Sequence, residues 1–284
     1  MFFQADNNLL MTYFRLIGVF FEMFSQLHLS RCIQILMVSL TVLMLGNLSP
    51  SVQAQQASTQ PQRETKPSIR YRPPAGHQKP KTTVSGGTRG ICSLDQSLPS
   101  PSLTVLLPQD KLGLTTRQHP EFFVYIPQTA ATEAEFLLID PNGEYEYRAR
   151  YTLPKTGGVV KIELPESETA LEVGTEYEWM FAIVCDPDSR DKDIVDGGVV
   201  KLTELSSTQT RQLQQAQPLT QAQLYAEYGI WHDAVATLAT LQCSERDRSN
   251  LKSNWQQLLS SESVKLDAII PQHAVECDTL QAKS

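Results

Sequence analysis

Three stretches of the chain are apolar on both of their alternating faces, and this constrains the fold more than any other feature. In 121–126, Phe122, Val124 and Ile126 alternate with Phe123 and Tyr125. In 134–139, Phe136 and Leu138 alternate with Leu137 and Ile139. In 175–185, Tyr177, Trp179, Phe181, Ile183 and Cys185 alternate with Met180, Ala182 and Val184. A strand with two apolar faces wants cover on both. These strands belong inside a layered fold, and something must lie over the sheet that carries them.

The neighbouring runs are of the half-wet kind. Tyr145, Tyr147, Ala149 and Tyr151 alternate with Glu144, Glu146, Arg148 and Arg150, and Val160, Ile162 and Leu164 alternate with Lys161 and Glu163. Period-two alternation of this sort marks strands with one solvated face. Asp140-Pro141-Asn142-Gly143 separates two runs and is a tight-turn signal. Strands are expected near 103–107, 121–126, 134–139, 144–152, 159–164, 175–185 and 198–205. Seven short strands at this spacing predict an immunoglobulin-like antiparallel β-sandwich over residues 90–206, giving a mainly β fold with added α-helix.

After Ser206 the pattern becomes helical, rich in Gln, Ala and Leu, with no proline between Leu219 and Ile270. Ala222, Tyr225, Gly229, Ala234 and Leu238 fall at a spacing that resembles the core of a tetratricopeptide repeat, where small residues let two antiparallel helices approach. Gly229 is expected at the turn and Trp231 early in the second helix. Pro218 stands where the repeat usually carries a large aromatic. A third helix, about 248–260, carries Trp255, Leu258 and Leu259. Arrays of this type need about three repeats or more, and residues 207–260 hold one hairpin plus a helix. Helices 220–241 and 248–260 are therefore expected to dock on a sheet carrying Phe123, Tyr125, Leu137 and Ile139. Trp231 has two readings, a core anchor or a contact for a partner, and Tyr225 and Gly229 share them. Residues 261–284 form a C-terminal tail.

At the other end, Ile33–Leu45 is uncharged, Arg31 precedes it, and Val52-Gln53-Ala54 follows. A basic residue, a short apolar core and small residues before a cleavage point describe a secretory signal peptide. Thirteen residues at about 1.5 Å each fall short of a hydrocarbon core of about 30 Å. Residues 1–54 are read as the signal segment, cleaved between Ala54 and Gln55, leaving no stable transmembrane span. Starting at Met23 gives a basic region of ordinary length, which favours Met23 as the true start. Cys32 lies ahead of the apolar core, the wrong side for a lipid-anchored cysteine.

Residues 55–89 carry seven Lys/Arg against Glu64 and are rich in Gln, Pro and Thr. Little in them is worth burying, so a disordered basic tether is expected. The whole chain of 284 residues has a formal charge of −7, so the body that follows is acidic. That excludes a nucleic-acid binder driven by phosphate contacts. The tether is read as a solubilising spacer or as a segment that touches anionic envelope polymer or lipid headgroups.

Removal of the signal leaves Cys92, Cys185, Cys243 and Cys277. An even number in an exported chain favours disulfides, with three connectivities open. Cys92 opens the β-region and Cys185 ends its most aromatic strand, so Cys92–Cys185 is preferred. Cys243–Cys277 is the second pair, with free thiols as its alternative. Asp186, Asp188, Asp191 and Asp193 form the densest carboxylate run and a weak calcium candidate, since clustered oxygens suit that ion. Arg190 and Lys192 interrupt the run, and no glycine or closing Glu completes a calcium loop. His77, His119, His232 and His273 lack a metal partner at helical or hairpin spacing. His232 and Asp233 are adjacent, hence on diverging helix faces, and are read as surface residues. No catalytic motif and no cofactor signature is visible.

Several longer motifs run through the chain. They are Thr88, Arg89, Gly90 and Cys92; L-x-x-L-L-P-x-x-x-L-G-L-T from Leu103 to Thr115; and P-x-F-x-V-Y-I-P from Pro120 to Pro127. A-E-F-x-L-x-D follows from Ala134 to Asp140, and L-E-V-G-x-x-Y-x-W-x-F-x-x-x-C-D-P from Leu171 to Pro187. L-Y-A-E-Y-G-I-W-H-D-A lies in the helices. Together they resemble domain-of-unknown-function family 928, an exported and mainly cyanobacterial family, over about Gly90–Leu259. The resemblance implies export and a sandwich-plus-helices layout, and it brings no activity, ligand or catalytic residue. The expected function is a non-catalytic envelope-associated binding or protein-interaction module, located in the periplasm, the envelope or outside the cell. Its partner is an envelope or secreted protein of unknown identity. The alternatives are an exported hydrolase acting on envelope polymer and an accessory subunit of a secretion apparatus.

Overall fold

The computed structural model describes residues 68–74, 76, 80, 92, 102–244, 249–269 and 275–283. The signal segment with its Ala54/Gln55 cleavage point and most of the tether lie outside the described residues. Among the described residues nine strands are formed: β1 (Thr104–Val105), β2 (Leu112–Thr115), β3 (Glu121–Ile126), β4 (Glu133–Ile139), β5 (Tyr145–Thr152), β6 (Gly158–Glu163), β7 (Glu176–Val184), β8 (Ile194–Leu202) and β9 (Val275–Thr279). Four helices follow β8: α1 (Ser207–Gln215), α2 (Pro218–Tyr228), α3 (Trp231–Ser244) and α4 (Ser249–Leu259).

The strands make two sheets, one of order β1-β3-β6-β9 and one of order β2-β8-β7-β4-β5. The alternation read from the sequence decides which side chains lie between them. Phe122 on β3 meets Phe136 on β4 and Trp179 on β7, with ring centroids 4.9 and 4.8 Å apart. The in-register neighbours Phe136 and Phe181 are both fully buried. Asp140 ends β4 and accepts the backbone N–H groups of Asn142 and Glu144, which closes the expected hairpin around Gly143 at φ 87°.

Two pairings depart from the antiparallel expectation: β2 runs parallel to β8, and β6 parallel to β9. The sequence reading did not anticipate β2 and β9. Leu112-Gly113-Leu114-Thr115 is a short run with a central glycine. The second lies in the C-terminal tail, and Cys243–Cys277 ties it to α3. Strand β8 also begins at Ile194, upstream of the expected 198, and carries Gly197 and Gly198 in its interior. A side chain at Gly198 would lie 2.3 Å from Leu107 Cδ1 and 2.6 Å from the Lys111 carbonyl oxygen, so glycine serves close packing there.

The predicted docking of the helices needs a correction. Phe123 and Tyr125 are on β3, whereas Leu137 and Ile139 are on β4 in the other sheet. The helices cover the first pair: α3 packs against β2, β3 and β9. Phe123 and Tyr125 are buried, while Leu137 and Ile139 are half-exposed. Phe122 faces the space between the sheets, where His232 of α3 also meets it, and Phe123 and Tyr125 alternate with it along β3. The same alternation on β4 turns Leu137 outward beside Arg148 and Met180.

The tether expectation also fails at residues 68–74. Ile69 and Tyr71 are 1% and 5% exposed, and the Tyr71 ring meets Trp231 edge-on at 5.0 Å. Low overall hydrophobicity hid two well-spaced apolar residues, which suffice to seat a short extended segment. All described residues belong to one compact unit, Glu64–Ser284.

Candidate functional site

The start of α3 decides how helices and sheets meet. Gly229 caps α2 in the left-handed conformation at φ 77°, which lets the chain reverse into α3 within two residues. Three consecutive side chains, Trp231, His232 and Asp233, then reach into the β-body in different directions. Trp231 Nε1 donates to the Leu106 carbonyl at 2.7 Å. Asp233 accepts from Thr115 Oγ1 at 2.8 Å and from Thr116 at both its backbone N–H (3.0 Å) and Oγ1 (2.7 Å). Arg117 Nε lies 3.6 Å from the same carboxylate. Asp233 also sits in the first turn of α3, where a negative charge suits the helix dipole.

His232 is wedged against Phe122 and Trp179, at centroid distances of 5.3 and 6.4 Å. Its Nδ1 lies 3.2 Å from the Glu121 carbonyl oxygen, which fixes the proton on that nitrogen. Burial pushes the imidazole down to about 4, against the opposing effect of the Glu121 hydrogen bond. Its Nε2 has no protein partner and lies where a Cβ on Gly113 would be 2.5 Å away. The sequence reading of His232 and Asp233 as surface residues is therefore corrected: both are buried, on diverging faces as expected, and each bonds to the sheets. Trp231 is fully buried, which decides for the core anchor.

An open groove of about 670 Å³ lies beside this junction. The end of β2, the end of β8 and α1 form its walls, and Tyr225 of α2 lies at its base. Thr116, Gln118, Thr203, Thr210 and Gln214 supply neutral donors and acceptors, Glu204 a carboxylate, and Leu202, Leu205 and Leu213 an apolar strip. Tyr225 shares a hydrogen bond with Thr116, and burial, together with the nearby Asp233 charge, raises its hydroxyl pKa. Thr116 thus faces the groove and holds the clamp at once. Helix α1 forms locally through a capping box, in which Ser206 and Gln209 satisfy each other's backbone N–H groups.

The calcium candidate does not assemble. Asp186 pairs with Lys192 Nζ at 2.7 Å, Asp191 accepts from Ser189 Oγ at 2.6 Å, and Asp193 pairs with Arg190 Nε at 2.6 Å. The hydrogen bond from Lys192 holds the Asp186 carboxyl below its ordinary range. Among the described residues no group of three or more His, Cys, Asp or Glu side chains is arranged to hold a metal ion. The interrupting cations take Asp186 and Asp193, and the Ser189 hydroxyl takes Asp191. Both cysteine pairs are formed, Cys92–Cys185 and Cys243–Cys277, each with Cα atoms 5.4 Å apart.

A second polar cluster was missed in the sequence. Glu135, 3% exposed on the outer side of β4, pairs with Arg148 at 2.7 Å and with Arg190 at 2.8 Å, with Arg150 at 3.7 Å. Burial works to raise its pKa, and the hydrogen bonds from Arg190 and Arg148 outweigh it, so the carboxyl stays below its ordinary range. The opposed Glu and Arg positions of β4 and β5 were the available signal, readable only once the register is known.

Among the described residues no helix is long and apolar enough to cross a membrane. No curated protein matches the chain. Residues 84–274 match the family described as Domain of Unknown Function (DUF928), a span that covers β1 to β8, the four helices, the Asp233 contacts and the groove and stops short of β9, and the chain belongs to that family.

Proposed function

We propose that this chain is an exported, envelope-associated binding module whose ligand surface is the groove between α1 and the ends of β2 and β8. The groove itself carries the reading. Its walls offer hydrogen-bonding side chains, the carboxylate of Glu204 among them, beside an apolar strip, the mixture that suits a polar chain such as a glycan or an extended peptide. Export is supported by two disulfides in a chain that starts with a signal-like segment. The two-sheet core with its inward aromatics supports an immunoglobulin-like framework. Buried Ala222, Gly229 and Ala234 between α2 and α3 support a tetratricopeptide-like hairpin.

Co-sedimentation of the purified mature chain with insoluble envelope material from its native host tests the reading. The wild type should sediment with it, and Thr210→Arg, a change at an exposed groove position, should stay in the supernatant. Equal sedimentation of both would remove the groove from the proposal, and a wild type that never sediments would end the envelope-binding reading.

A further inference from the structure

Residues 68–74 lie across the helices as a bound peptide would. Burial alternates along Ser68-Ile69-Arg70-Tyr71-Arg72, with only Ile69 and Tyr71 turned inward. The Tyr71 N–H donates to Ser261 Oγ at 3.1 Å, just beyond α4, and the Arg72 N–H donates to the Ala226 carbonyl at 3.0 Å, in the last turn of α2. The Tyr71 ring closes on Trp231. Pro74 rests on Gly229, where a Cβ would lie 2.6 Å from the Pro74 ring. Glycine at 229 therefore serves twice, as the left-handed cap and as the floor of a proline site.

Few bonds hold this segment. Two side chains are buried, two backbone N–H groups are used, the Tyr71 hydroxyl donates a long hydrogen bond to the Gly229 carbonyl at 3.5 Å, and the Arg72–Glu227 ion pair, also at 3.5 Å, is mostly exposed and contributes little. Both disulfides tie other parts of the molecule. Pro73 and Pro74 restrict the chain to extended conformations before it binds, which lowers the ordering cost. A segment with so few contacts opens at a fraction of the global unfolding free energy.

We propose that the surface formed by the end of α2, the start of α3 and the end of α4 is a peptide-binding groove for an Ile-x-Tyr-x-Pro-Pro segment. Residues 68–74 occupy it in cis, and the same segment of a second copy exchanges into it. This site is separate from the groove beside α1, so it stands or falls independently of that reading.

The test uses the full mature chain carrying Ile69→Ser and Tyr71→Ser, which empties the groove, and a fluorescein-labelled peptide of residues 66–76. Anisotropy should show saturable binding to the double variant and little to the wild type, whose groove is filled. Replacing the tyrosine of the peptide by alanine should weaken binding by at least about tenfold. A double variant that melts as one body yet leaves the peptide free overturns the proposal, as does equal binding by wild type and variant. If the double variant loses its cooperative melt, a photo-crosslinking residue at position 71 decides. In mixed light and heavy isotope-labelled copies, links between 71 and the start of α3 should form across copies. Links confined to single copies at every concentration, or formed only to another protein, overturn exchange.

Discussion

Helices α1 and α3 lie close in sequence, and their first turns have opposite fates. In α3, every residue from Trp231 to Ala236 is buried, and the first three side chains each bond to a different part of the sheets. In α1, only Leu213 is buried, and the helix relies on its own capping box. One helix holds the body together and the other walls a groove. A side chain held by several partners resists change, whereas one that faces solvent is free to be selected for recognition. The same contrast separates Asp233, closed in by two threonines, from Asp186 and Asp193, each paired with a cation from its own loop.

The largest break of this comparison should come at Trp231. Trp231→Ala empties a large core volume and leaves the Leu106 carbonyl without its donor, so about 3–5 kcal/mol of stability should be lost. A thermal melt of the whole chain reads it, and an unchanged melting temperature would mean the helices do not share the core of the sheets. Asp233→Ala should follow, at about 2–3 kcal/mol, because three buried or half-buried donors on Thr115 and Thr116 lose one charged acceptor. Urea unfolding measures it, and a loss no larger than that of a surface aspartate would break the clamp description.

The third prediction concerns pH. Burial depresses the His232 pKa to about 4 from 6.5, so the unfolded chain binds a proton that the folded chain does not across that interval. The stabilisation is complete above about 6.5 and is lost as pH falls toward 4. Between pH 7 and pH 5 the group should remove about 2 kcal/mol. Comparing urea melts of wild type and His232→Gln at both values isolates it from the carboxylates, and parallel losses in the two proteins would reject it. The smallest effect belongs to α1: Thr210→Arg should change stability by no more than about 0.5 kcal/mol. A large loss there would show that α1 is part of the body and would blur the contrast.

Much of the β-region was legible because burial in a strand repeats every second residue. Trp179 and Phe181 stood out as inward positions, the strands of Phe122 and Phe136 as apolar on both faces, and Asp140–Gly143 as a turn, without any knowledge of partners. The turn between α2 and α3 was legible too, since Gly229 and the residues around it act locally, whereas α1 was not marked out as a separate helix. The two disulfide pairs followed from the even cysteine count and from where Cys92 and Cys185 fall relative to the strands.

What the sequence could not decide was anything set by a neighbour distant along the chain. The parallel pairing of β2 and β9 depends on which sheet edge is open, and no local pattern encodes that. Whether His232 and Asp233 face solvent depends on Gly113, Thr115 and Thr116, more than 110 residues upstream. Ile69 and Tyr71 sit in a stretch whose composition argues for a solvated chain, and only the cavity beside Trp231 gives them a place. The chain by itself determined local periodicity and turn chemistry, because those energies involve residues within a few positions of one another. The tertiary structure decided which apolar face met which element, because that energy exists only once distant surfaces are brought into contact.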